Sequence, residues 1–138
     1  MIRDNDAAWQ APSNPLASGF MGQCTYFAWG CAYELYGFAC WDGSGNGIDV
    51  AESVVRCHPD KFKLSSTPVP GAIFSMPSSS VYGHTGVVLK VNSNGSCVIF
   101  DGNYNGHNDN FSAAKNDCGT RTIRFPSGSK FACPVEPK

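Results

Sequence analysis

Several things are missing from this sequence, and each absence removes a class of protein. There is no run of like charges and no basic excess: ten Lys and Arg stand against eleven Asp and Glu, a formal charge of −1. Nucleic-acid readers carry a basic face, so none is expected as a partner. The longest uncharged stretch, residues 7–33, is broken by Gln10, Pro12, Ser13, Asn14, Pro15, Gly19 and Gln23. It cannot supply the roughly 20 apolar residues of a spanning helix, and no membrane insertion is expected. The opening residues Met1, Ile2, Arg3, Asp4, Asn5 and Asp6 lack the apolar run of a secretory signal. An export signal already removed, a piece of a larger protein, and signal-independent export all fit this beginning.

Cofactor and metal motifs are missing as well. No Gly-rich phosphate loop precedes a helix, and no CxxC pair suggests a zinc ribbon or a thioredoxin-like site. Asp4 and Asp6 lack the ligand order and the sixth-position glycine of an EF-hand, and the Asp109 to Asp117 region is no better. The expectation is a protein without cofactor or metal.

What is present is a chain of 138 residues, 42% hydrophobic and 12% aromatic, with fifteen Gly and nine Pro. Such a chain forms one turn-rich domain over residues 1–138. Residues 1–19 read as an extended lead-in that Trp9 and Leu16 anchor, and residues 127–138 as a short tail. From Gly22 to Tyr36 there is no proline, and Cys24, Phe27, Cys31 and Leu35 recur on one helical stripe that Gly37 ends. A second, short helix follows with Ile48, Ala51, Val54 and Val55 inward, capped by Asn46 or Ser44. Residues 71–76, 84–91, 96–103, 120–125 and 130–133 then alternate as strands. Helices first and strands after predict an α+β domain whose helices cover a twisted antiparallel sheet of five or six strands. Tyr26, Phe27 and Trp29 read as core, His58 and His107 as solvated. The seven cysteines suit either disulfides in an exported protein or buried reduced thiols.

The stretch from His84 to Asn105 carries the chemistry. Two alternating runs flank Asn92-Ser93-Asn94-Gly95, a hairpin signal. A two-residue loop places His84, Gly86 and Val88 on the same face as Asn103, Asp101 and Ile99, because side chains alternate with period two. An imidazole, a carboxamide and a carboxylate then converge; a three-residue loop with a bulge would reverse that parity. An oriented imidazole is the base half of nucleophilic catalysis, and its missing partner is a thiol or hydroxyl. Cys24 suits that role, because unsatisfied backbone N–H groups and the helix dipole favour a thiolate in the first turn. Gly83 and Gly86 leave room beside the histidine for another segment of chain or a substrate.

These residues resemble a known family, the CHAP (cysteine, histidine-dependent amidohydrolase/peptidase) domain of bacterial cell-wall hydrolases and phage lysins. Gly22-Gln23-Cys24-Thr25-Tyr26-Phe27 is similar to its nucleophile motif, Tyr82-Gly83-His84-Thr85-Gly86-Val87-Val88 to its histidine motif, and Asp101-Gly102-Asn103-Tyr104-Asn105-Gly106 to its third block. Pro70-Gly71-Ala72-Ile73 and Gly45-Asn46-Gly47 also match, and the likeness covers most of residues 14–126.

The resemblance implies a papain-like fold and cleavage of peptidoglycan amides, either the muramoyl-L-alanine bond or a bond of the stem or cross-bridge peptide. It implies Cys24 as nucleophile, His84 as proton relay, and Asp101 and Asn103 as partners of His84. Gln23 would assist the oxyanion, and Tyr82 and Tyr104 would contact substrate. Asp101 replaces the family's usual Glu and is one methylene shorter, so Asn103 is expected as the principal partner of His84, with Asp101 behind it. The extra cysteines suggest a bridge-stabilised extracellular or wall-located form, and a silent wall-binding or structural module on the same fold is the rival reading. The tail has no room for a wall-targeting domain, so targeting would fall to the catalytic face, a flanking domain or a partner subunit.

Overall fold

The structure, a computed structural model, describes residues 24–43, 45–78, 81–102 and 119–136, with the Tyr26 side chain left out. Helix α1 (Cys24–Tyr36) buries Phe27, Ala28, Cys31 and Ala32, a spacing that makes one continuous apolar face. Trp29 is also buried and donates its indole N–H to the Trp41 carbonyl at 2.9 Å, tying the helix to the loop that follows. The helix closes where the Gly37 N–H reaches the Tyr33 carbonyl at 2.8 Å.

Helix α2 (Val50–Cys57) turns Val50, Ala51 and Val54 inward, in register with the expected apolar face. Its start is secured twice. Asn46 flanks a short 3-10 turn (Gly47–Asp49) and donates its N–H to the Asp49 carboxylate at 3.0 Å. The Ala51 N–H is taken by the buried Ser75 hydroxyl at 2.9 Å. A strand side chain therefore satisfies a donor that the helix itself leaves open.

Six strands form one antiparallel sheet: β1 (Phe62–Ser65), β2 (Ile73–Met76), β3 (His84–Val91), β4 (Cys97–Asp101), β5 (Gly119–Ile123) and β6 (Lys130–Pro134). Their order across the sheet is β1-β6-β2-β3-β4-β5. Helix α1 packs on β3 and β4, and α2 on β1, β2 and β6. Between helices and sheet lies a core of Phe27, Trp29, Trp41, Val54, Phe62, Ile73, Val87 and Phe100. The opposite face of the sheet buries Phe74, Val88, Cys97, Ile99 and Phe131. The architecture is the α+β, papain-like one.

Three points qualify the sequence reading. Residues 130–133, read both as a strand and as part of a short tail, belong to β6, which lies inside the sheet between β1 and β2. Strand β1 escaped the sequence reading because only Phe62 among its residues is buried. The six cysteines among the described residues are all free thiols. Cys97 and Cys133 belong to the same core cluster, yet β2 and β3 stand between their strands. Three strand spacings amount to about 14 Å, twice the Cα separation of about 7 Å that a bridge tolerates. The buried ones, Cys31, Cys40, Cys97 and Cys133, act as small hydrophobes.

The β3–β4 hairpin shows why its parity survives. Its loop has three residues, since the Asn92 N–H bonds the Ser96 carbonyl at 2.8 Å and Gly95 takes a left-handed φ of 89°. Such a loop pairs Val91 with Cys97 and Lys90 with Val98. A shift between Val88 and Lys90 then restores the pairing Val88 with Ile99 and Val87 with Phe100. The two irregularities cancel. His84 and Asp101 reach the same face by that cancellation and not by the two-residue loop the sequence suggested.

Candidate active site

His84 opens β3 and is 7% exposed. Its backbone is clamped from the side by the loop that leads into α2. The Ile48 N–H donates to the Tyr82 carbonyl at 2.8 Å, and a Cβ on Gly47 would lie 2.9 Å from the His84 Cα. Gly83 has a φ of 71°, and a Cβ there would come within 2.6 Å of the Ile48 Cβ. Glycine is the residue that fits both the left-handed backbone and the close approach. The room beside His84 is thus taken by the protein's own chain, while the ring packs near Phe74 with centroids 6.2 Å apart.

Asp101 ends β4 with its side chain wholly buried. Its Oδ2 accepts a hydrogen bond from His84 Nε2 at 2.7 Å. The shorter carboxylate therefore touches the imidazole directly, where the comparison with Glu had placed it behind Asn103. A residue overlooked in the sequence completes the contact: Arg121 of β5 donates from Nε to Oδ1 and Oδ2 at 3.1 Å each, and from Nη2 to Oδ2 at 2.6 Å. Register puts it there, since Ile99 pairs with Arg121 and Asp101 lies two residues further along the same face. Only the β4–β5 pairing reveals this neighbour, and no local motif announces it.

Cys24 stands partly buried in the first turn of α1, where no acidic residue opposes a thiolate. Its sulfur lies close enough to the His84 ring to act on the imidazole's protonation. With Nε2 committed to Asp101, Nδ1 is the nitrogen that can meet the sulfur. Burial alone would push the imidazole toward its neutral form, but the hydrogen bond that the ring donates to the Asp101 carboxylate, and the Cys24 sulfur nearby, outweigh it. The His84 pKa rises from 6.5 to about 9. The ring is protonated at neutral pH.

The other expected residues fall as follows. Tyr82 is 60% exposed, two positions before His84. Gln23, Asn103, Tyr104, His107 and Cys118 lie outside the described residues, as do Asp4, Asp6, Trp9, Leu16, Asp109 and Asp117. His58 is not simply solvated: its Nε2 pairs with the Ala39 carbonyl at 2.8 Å and its ring meets Phe38 edge-on. Among the described residues no three His, Cys, Asp or Glu group as metal ligands, and no helix is long and apolar enough to cross a membrane.

Comparison with protein families finds the CHAP domain over residues 14–103, a span that includes Cys24, His84 and Asp101. The chain belongs to the CHAP domain family. Over 89 residues it is 37% identical to a probable autolysin, LDP, of Staphylococcus aureus (strain NCTC 8325 / PS 47), matching 63% of this chain and 29% of that protein. A solved N-acetylmuramoyl-L-alanine amidase from Staphylococcus aureus shares the fold with a TM-score of 0.60 and 24% identity, over 82% of this chain and 30% of that one. The solved structure of Ly7917 shares it with a TM-score of 0.57 and 16% identity, over 92% of this chain and 61% of that one. This CHAP chain thus spans less than a third of the length of the autolysin it matches.

Proposed function

We propose that this chain is a peptidoglycan hydrolase that cleaves an amide bond through a Cys24 thiolate and an acyl-enzyme. The observation that carries the reading is the buried His84–Asp101 hydrogen bond, with Cys24 at a helix start near the ring, inside a CHAP domain. Protonated His84 beside the thiol favours the thiolate–imidazolium pair. The sulfur attacks the scissile carbonyl carbon, and the resulting oxyanion faces the Cys24 backbone N–H with help from Gln23. His84 then gives its proton to the leaving nitrogen, the C–N bond breaks, and a thioester remains. Water, deprotonated by His84, attacks the thioester; the acid product leaves and the sulfur regains its charge.

Asp101 holds His84 in orientation, and Asn103 is assigned a share in that role on its resemblance to the family's third block. Tyr82, exposed beside the histidine, and Tyr104 flank the substrate. The substrate is wall peptidoglycan, cut at the muramoyl-L-alanine bond or within the stem or cross-bridge peptide, so the protein works outside the cell or in the wall. Targeting falls to the catalytic face itself, a flanking wall-binding domain or a partner subunit. Support for the substrate comes from the autolysin relative and from the amidase that shares the fold.

The test is lysis of purified walls by the wild type, Cys24→Ala and Cys24→Ser, with mass spectrometry of released fragments. The expected result is new N-termini or freed muramoyl ends from the wild type and none from either variant. Undiminished lysis by Cys24→Ala would contradict the proposal.

A further inference from the structure

The carboxylate behind His84 is held by two cationic groups, and one of them has no place in the reaction as written. The Asp101 side chain has no exposed surface, and its Oδ2 accepts from His84 Nε2 at 2.7 Å and from Arg121 Nη2 at 2.6 Å. Arg121 Nε bridges both carboxylate oxygens at 3.1 Å. A planar fork bound to both oxygens stops the carboxylate from rotating, which a single hydrogen bond would not do.

We propose that Arg121 is the positioning residue of the site: its guanidinium fixes the Asp101 carboxylate against His84 and limits how tightly that carboxylate holds the imidazole proton. The inference rests on the hydrolase reading for its effect on rate, though its effect on His84 stands without it.

The effect of Arg121 is electrostatic. Among the described residues, the charged or titratable groups facing this pair are Arg121 from β5, His84 from β3, Asp101 from β4 and, on the far side of the ring, Cys24 from α1. Strand β2 contributes no charged or titratable side chain: Met76 pairs with His84, and the Phe74 ring lies 6.2 Å from the imidazole. A buried carboxylate needs a compensating positive charge. With Arg121 present, that compensation does not depend on His84 keeping its proton, so the imidazolium can surrender it to a leaving amine. Without Arg121, His84 is the one remaining cation on Asp101, and the proton becomes part of a buried ion pair. Such a pair releases it less readily. The Arg121 side chain is 33% exposed, so solvent weakens its charge without removing it.

The experiment follows the His84 ring resonances by NMR across pH in the wild-type chain, Arg121→Gln and Arg121→Lys, beside steady-state wall hydrolysis. In Arg121→Gln the His84 midpoint should rise by about one unit or more, and kcat should fall about tenfold with KM within about twofold. Arg121→Lys should return the midpoint, because its charge is kept, while kcat stays about threefold low for want of the fork. An Arg121→Gln midpoint that is unchanged or lowered would overturn the proposal. Should the Gln variant fail to fold, Arg121→Lys decides, and a wild-type kcat in it would overturn the positioning role. The hydrolase reading fails separately: Cys24→Ala that still lyses walls defeats that reading and leaves the titration result standing.

Discussion

Two glycines with nearly the same backbone angle sit at opposite ends of the β3 hairpin, and their surroundings differ completely. Gly83, with φ 71°, stands one residue before His84 and has Ile48 pressed against it. Gly95, with φ 89°, closes the loop at the far end, where an added Cβ would meet only the flexible Arg124 Nη1 at 3.4 Å. At the site end His84, Thr85, Gly86, Val87 and Val88 are all buried; at the loop end Lys90 and Val91 are exposed. One end of a single strand is built to fix an atom, and the other only to turn the chain. The difference teaches where this fold concentrates its constraint: on the backbone that carries the imidazole.

Substitutions at the two ends of the strand should therefore differ in cost. His84→Ala should lower wall hydrolysis by about 10³-fold or more, and adding Cys24→Ala should lower it little further, because residues acting as a unit are not additive. Fragment release under saturating wall substrate measures both. Gly83→Ala should cost about 2–3 kcal/mol of stability, combining a left-handed φ with a steric clash, and should lower activity in the fraction that still folds. Chemical denaturation read beside hydrolysis checks it.

The third prediction concerns pH. The folded-state pKa of His84 is raised, so its stabilisation is complete below the ordinary value of 6.5 and is lost as pH climbs through about 9. The loss is on the order of 3 kcal/mol, read as a fall in denaturation midpoint over that window that His84→Gln removes. Hydrolysis should decline over the same basic limb, since the leaving amine needs the imidazolium proton. The smallest effect belongs to the loop: Gly95→Ala should cost about 1 kcal/mol and leave the specific activity of the folded protein unchanged. A Gly95 variant as damaging as the Gly83 variant would erase the contrast.

The same contrast explains what the sequence made legible. Helix α1, helix α2 and strands β2 to β5 have local signals: apolar spacing, terminating glycines, an Asn-Gly turn. The shared face of His84 and Asp101 was also readable, though for an incomplete reason, since a three-residue loop and a bulge offset each other. Strand β1 carried one buried residue and left almost no pattern. The insertion of β6 between β1 and β2, and the arrival of Arg121 at Asp101, depend on strand order and register over long separations. No window of sequence contains both partners of such a contact. Asp101 was legible as a partner of His84, but its rank was not: side-chain length was compared with a family habit, whereas backbone placement decides the reach and brings the carboxylate into direct contact.

Two thiols provide the most direct test of the central claim. Cys57 is exposed at the end of α2, and Cys24 is partly buried beside His84. Accessibility alone would make Cys57 the faster target for an alkylating reagent, whereas a thiolate held by an imidazolium would make Cys24 faster despite its burial. Alkylation at pH 7, mapped by peptide mass spectrometry against time, should modify Cys24 about tenfold or more ahead of Cys57, and His84→Ala should abolish that lead. Faster labelling of Cys57 in the wild type, or a Cys24 rate indifferent to His84, would contradict the account.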